Sequence, residues 1–100
     1  MQARLQKAVE VPLRAMRVED TCWDAMLEMA AHGNIASRSD LEVGAKALET
    51  GILGAWRNVV INVDQIKDEP FRRRMSAEGD EIRQRAAQRL QDVLGVLGRR

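Results

Sequence analysis

The chain has 100 residues, 45% of them apolar and 31% charged, a balance that suits a single soluble domain and is too apolar for disorder. Only 3% are aromatic and Tyr is absent, which argues against an all-β sandwich and against the aromatic platforms on which single-stranded nucleic acid stacks. Sixteen basic against fifteen acidic side chains leave a net charge of +1, so neither nucleic acid nor an anionic membrane surface is an expected partner.

Cys22 has no second cysteine to pair with, and His32 has no second histidine with which to build a metal site. No apolar run reaches the roughly 18–20 residues of a membrane span, and the start, Met1 to Leu13, lacks the apolar core of a secretory signal. A reduced, cytoplasmic and mostly helical protein is expected.

Residues 2–31 read as helix. Leu5, Ala8 and Val9 recur at helical spacing, and so do Ala15, Val18, Cys22, Ala25, Met26 and Met29. Pro12 lacks a backbone donor and crowds the preceding turn, so a kink or restart is expected near Val11. Cys22, on the apolar stripe, is expected as a small core residue. The end signal is Ala30-Ala31-His32-Gly33-Asn34, with His32 in the last turn and Gly33 in a left-handed position just beyond it.

A loop over 34–38 leads into Ser39-Asp40-Leu41-Glu42, whose Ser-to-Glu spacing is that of a capping box, with Ser39 as N-cap. The helix expected over 40–63 sorts into three stripes at about 100° per residue. Leu41, Ala45, Leu48, Ile52, Trp56 and Val59 make an apolar face, and Glu42, Lys46, Glu49 and Arg57 a polar one. Gly44, Ala47, Gly51, Gly54, Asn58 and Asn62 make the third. An interior glycine costs up to about 1 kcal/mol relative to Ala, so three on one face imply close approach of another backbone or a ligand, and a helix buried on two sides.

The last helix is expected to begin at 68–70, with Asp68 or Glu69 as cap and Pro70 in the first turn. Phe71, Met75, Ile82, Ala86, Leu90, Val93 and Leu97 mark its apolar face, Gly79 allows a bend, and Asp80, Glu81, Arg83, Arg85 and Arg89 read as solvated.

Candidate site residues each carry two readings. Ser39 is a cap or a ligand contact, and Asp40 is a first-turn carboxylate placed for the dipole or a chemical group. Asn34 and Gly44 flank this pair along the same groove. Asn58 and Asn62, one turn apart, either bond a neighbouring helix or recognise a polar ring. His32 reads as a helix-end residue or a substrate contact, and Arg72-Arg73-Arg74 as a solvated face or a docking point for a polyanionic tail.

Residues 33–45, GNIASRSDLEVGA, resemble the GN-x-x-x-x-SD-x-x-V-x-A signature of the folate cyclodeaminase/cyclohydrolase family. Residues 54–62, GAWRNVVIN, are similar to that family's GA-x-x-NV-x-IN block, residues 66–71, IKDEPF, to its IKDE-x-F ending, and Val11-Pro12-Leu13 to the VPL of its preceding helix. The resemblance spans nearly the whole chain but only the carboxy-terminal half of the family domain, since the glycine-rich GGGS-type helix start of the amino-terminal half has no counterpart here. It implies an all-α antiparallel bundle of about three long helices, residues 1–100 forming one half-domain.

The resemblance also implies an enzyme of tetrahydrofolate one-carbon metabolism, a cyclodeaminase or methenyltetrahydrofolate cyclohydrolase, with a tetrahydrofolate derivative as substrate and no prosthetic group or metal. The partner it implies is a second copy, as a homodimer, or the missing amino-terminal half. Asp40 is the expected acid/base and counter-charge, with Asn34, Ser39, Gly44, Asn58 and Asn62 around the substrate. The alternative is a non-enzymatic helical dimerisation or interaction module derived from that family.

Overall fold

The computed structural model describes residues 2–100, and all of the regular structure among them is helical. The bundle is all-α, with three long helices packed together and one short one. Helix α1 covers Gln2–Asp20, α2 Trp23–His32, α3 Arg38–Val63 and α4 Glu69–Gly98, with a 3₁₀ turn at Ile35–Ser37. The first two helices run up, α3 returns antiparallel, and α4 runs up again beside α1 and α2, giving a rod of 51 × 17 × 16 Å.

The break in the first helical stretch falls at Thr21-Cys22 and not at Pro12, which lies inside an uninterrupted α1. The Thr21 hydroxyl donates to the Val18 carbonyl at 2.6 Å, while the Thr21 and Cys22 amides bond three residues back, to Val18 and Glu19. That side-chain competition tightens and ends the helix. Pro12 faces an open groove, where solvent can serve the one carbonyl it leaves unbonded.

The buried face of α1 is Val9, Leu13 and Met16, with Leu5 partly covered. The stripe expected from Ala15, Val18 and Cys22 points outward instead: Val18 is 63% exposed, and Cys22 is exposed and not a core residue. Trp23 and Ala30 carry the core through α2.

Two end signals also work differently from expectation. Gly33 is extended (φ −73°, ψ 175°) and not left-handed. A Cβ there would stand 2.5 Å from the Met29 carbonyl oxygen, so glycine is needed for space. The capping box does not form. Ser39 lies inside the first turn of α3, whose N-cap position is Ser37 without a side-chain bond, and Glu42 pairs with Lys46 at 3.6 Å. The capping oxygen comes from Asn34, whose Oδ1 accepts from the Ala36 amide at 2.9 Å and starts the 3₁₀ turn.

Helix α3 buries the expected apolar face through Ala45, Ile52, Val59 and Val63. It is not buried on two sides, because Ala47, Gly51, Gly54 and Asn58 are exposed. Ile66, 1% exposed, anchors the loop to α4, and Asp68 Oδ1 accepts from the Phe71 amide at 3.1 Å with Pro70 in the first turn. Helix α4 then buries Phe71, Met75, Ile82, Ala86, Val93 and Leu97. It runs unbroken through Gly79, which receives the Trp56 ring where a Cβ would meet Cζ3 at 2.5 Å.

The charges of α4 are less solvated than expected. Arg85 forms a two-point pair with Asp20 at 3.0 and 2.7 Å, Arg89 reaches Asp24 at 2.8 Å, and Glu78 binds Arg17. Arg83 holds Asp80 at 2.6 Å and lies 5.9 Å over the Trp56 ring. These contacts set the register of α4 against α1, α2 and α3. The Arg72-Arg73-Arg74 run stays local, with Arg73 on Glu69 and Arg74 over Phe71.

Candidate ligand cavity

Three helix ends meet at one end of the rod: the close of α2, the start of α3 and the close of α4. A cavity of about 430 Å³ lies between them. Its apolar wall is Met26, Met29, Ile35, Leu41 and Leu97, and its polar rim is Asn34, Ser37, Arg38, Asp40 and Arg100. Gly44, one turn into α3, leaves the wall low: a Cβ there would meet only the Met26 methyl at 3.5 Å.

Local sequence explains why these groups converge. Gly33 lets the chain pass close over the end of α2, Asn34 turns it through its own Asx bond, and α3 starts at Arg38. Asp40 then falls in the first turn of α3, where the helix dipole favours a carboxylate. An apolar wall with one carboxylate and a few convergent polar groups is the composition of a small-molecule site.

Three of the six expected site residues, Asn34, Asp40 and Gly44, line this cavity. Ser39 is exposed and not part of its lining. Asn58 and Asn62 lie elsewhere, in a shallow groove of about 750 Å³ between α1 and α3 that also holds Glu19, Gly51 and Gly54. Asn62 spends one amide donor on the Asn58 carbonyl at 2.8 Å. Glu19 Oε2 stands 2.6 Å from where a Gly51 Cβ would be, and burial raises its carboxyl above the ordinary glutamate value. His32 is exposed at the end of α2, 3.9 Å from Glu28.

Sequence reasoning missed Arg38 and Arg100 at the rim and Glu19 in the groove. Arg38 stands inside a recognisable motif run, whereas Arg100 and Glu19 carry no spacing signal. Among the described residues no cluster of His, Cys, Asp and Glu is placed to hold a metal ion, and no helix is long and apolar enough to cross a membrane.

Fold and cavity together define an all-α bundle with a polar-rimmed cavity built on a helix–turn–helix end. A family model described as formiminotransferase-cyclodeaminase matches residues 1–81, and the chain belongs to that family. It is 49% identical over 96 residues to the formimidoyltransferase-cyclodeaminase of Dictyostelium discoideum, covering 96% of this chain and 18% of that protein. It is 42% identical over 93 residues to the Sus scrofa protein of the same name, covering 93% of this chain and 16% of that one. The Gallus gallus protein is 40% identical over 100 residues, 100% of this chain and 18% of its own length. The chain therefore spans less than a fifth of the length of these curated relatives.

Proposed function

We propose that the chain is the carboxy-terminal half of a cytoplasmic folate cyclodeaminase or cyclohydrolase domain, residues 1–100 forming one helical unit that works on the 5,10-methenyl bridge of tetrahydrofolate. The observation that carries this reading is the single cavity lined by Asn34, Asp40 and Gly44, which all stand in the motif run resembling the family signature.

In cyclodeamination, N10 of 5-formiminotetrahydrofolate, whose formimino group is protonated as an amidinium, attacks the formimino carbon, a C–N bond forms, and the C–N bond to the departing amine breaks. The proton leaving N10 must reach that amine, which departs as ammonia. Asp40 is suited to accept the first proton and return it, so it ends as a carboxylate beside the cationic methenyl product. In the cyclohydrolase direction, water adds to the methenyl carbon as Asp40 takes one of its protons, and the C–N5 bond then breaks as the second proton reaches N5, leaving a formyl group on N10. Neither path asks for a metal or a prosthetic group.

Asn34 orients the ligand by its amide and Gly44 lets a planar ring approach α3, while Ser39, outside the cavity lining, meets whatever covers the outer edge of the same turn. Asn58 and Asn62 belong to the open groove, where they meet whatever covers Gly51 and Gly54. The partner in this reading is a second copy of the chain or a segment resembling the amino-terminal half of the domain, and neither nucleic acid nor a membrane is involved.

The test is Asp40→Asn in the full-length protein. Cyclodeaminase turnover should fall by about 10²–10⁴-fold, with the denaturation midpoint unchanged. A variant that loses stability in step with activity returns Asp40 to a dipole role. A second reading, a non-enzymatic interaction module, draws on the open α1–α3 groove. It predicts self-association by the chain with no uptake of a methenyltetrahydrofolate probe in calorimetry.

A further inference from the structure

The last turn of α4 closes one side of the cavity, and it lies beyond residues 1–81, the part that matches the family model. Leu97 is buried there, and Arg100 reaches across to the end of α2. Its Nη1 donates to the Ala30 carbonyl at 3.0 Å and to the Gly33 carbonyl at 2.9 Å.

The two acceptors differ in kind. The Ala30 carbonyl belongs to the last turn of α2, and a cation there is ordinary helix capping. The Gly33 carbonyl lies past the helix, in the peptide that leads into Asn34. Asn34 in turn holds the Ala36 amide through its side chain and the Ser37 amide through its carbonyl, each at 2.9 Å. One charged donor shared by both carbonyls ties the helix end and the following turn into a single unit. Charge-assisted bonds of this type are stronger than neutral ones.

We propose that Arg100 is a positioning residue for the cavity: it holds the Gly33–Asn34 turn so that Asn34 and Asp40 line one site. The functional part of this inference rests on the cavity being the folate site, while the positioning part concerns the turn alone.

Amide hydrogen exchange and calorimetry with 5-formyltetrahydrofolate, on the 100-residue chain, separate the two. In Arg100→Ala the Ala36 and Ser37 amides should exchange about tenfold faster, and the folate probe should bind about tenfold more weakly. Arg100→Lys, which keeps a charged donor, should recover part of both. Arg89→Ala removes an α2–α4 pair remote from the cavity, Arg89 to Asp24, and should change neither.

Unchanged exchange at Ala36 and Ser37 in Arg100→Ala overturns the proposal, as does an equal effect from Arg89→Ala. Faster exchange in Arg100→Ala beside a wild-type chain that binds no folate upholds the positioning role and overturns folate binding by this cavity on its own. Folate binding by the wild type that Arg100→Ala leaves intact upholds the folate reading and overturns the functional part of the proposal, that Arg100 shapes the cavity for its ligand.

Discussion

Glu78 and Glu19 are both half-buried, and their surroundings push them in opposite directions. The hydrogen bond from Arg17 holds the Glu78 carboxyl below its ordinary value of 4.5. This contribution is present above that value and is lost as pH falls through the lower, folded one. Because both side chains of the pair are more than a third exposed, it is expected to stabilise by no more than about 1 kcal/mol. Burial raises Glu19, so the folded state favours its protonated form and stability falls as pH rises through that range. Urea denaturation should therefore show Glu78→Gln less stable than wild type at neutral pH and Glu19→Gln slightly more stable, with both differences fading below the carboxylate range. Asp40, Asn34 and Gly44 were legible as site candidates because a motif run holds them. Arg100 was not, since its partners lie about seventy residues away.

Helices α3 and α4 pack along their length with the Trp56 ring set against Gly79, and an added Cβ meets opposite surroundings at Gly79 and at Gly54. A methyl group on Gly79 would overlap the Trp56 ring, at 2.5 Å from Cζ3 and 2.7 Å from Cε3. Gly79→Ala should cost about 1–3 kcal/mol, the usual range for overpacking. Gly54 has nothing within 4 Å of an added Cβ, so Gly54→Ala should stabilise the isolated chain by up to about 1 kcal/mol through helix propensity. Chemical denaturation of the two variants checks both signs. The notion that Gly79 marks a bend fails for the same reason: the missing side chain is replaced by an aromatic ring. The apolar faces of α3 and α4 were readable because each has only one. Helix α1 has two, and its sequence alone does not tell which of them is buried.

For the whole molecule, the groove between α1 and α3 is the main unfinished surface. Val11 lines it and Val18 the adjoining depression, each more than 60% exposed, and Gly51 and Gly54 of α3 lie open on its other side. Monomeric proteins seldom leave contiguous apolar surface of this kind uncovered. The chain is expected to associate, with itself or with a segment like the amino-terminal half of the domain. Val11→Asp combined with Val18→Asp should raise the monomer fraction in sedimentation velocity and leave the unfolding free energy of the monomer within about 0.5 kcal/mol per substitution, as exposed substitutions usually do. A wild-type chain that stays monomeric at high concentration, alone and with such a segment, would refute this.

The order of signals along the chain determined much by itself. Helical periodicity, the capping Asp68 and the motif runs over 33–45, 54–62 and 66–71 define an all-α protein and its family, because each depends on residues within a few turns of one another. What only the tertiary structure decided depends on residues far apart in the chain. The surface offered by α3 chose which face of α1 is buried, and Asp20 and Asp24 turned the arginines of α4 from solvated charges into interhelical pairs. The meeting of three helix ends put Asn34, Asp40 and Gly44 on one cavity and left Asn58 and Asn62 in another groove. Spacing along a helix tells which residues share a face; it does not tell what that face will meet.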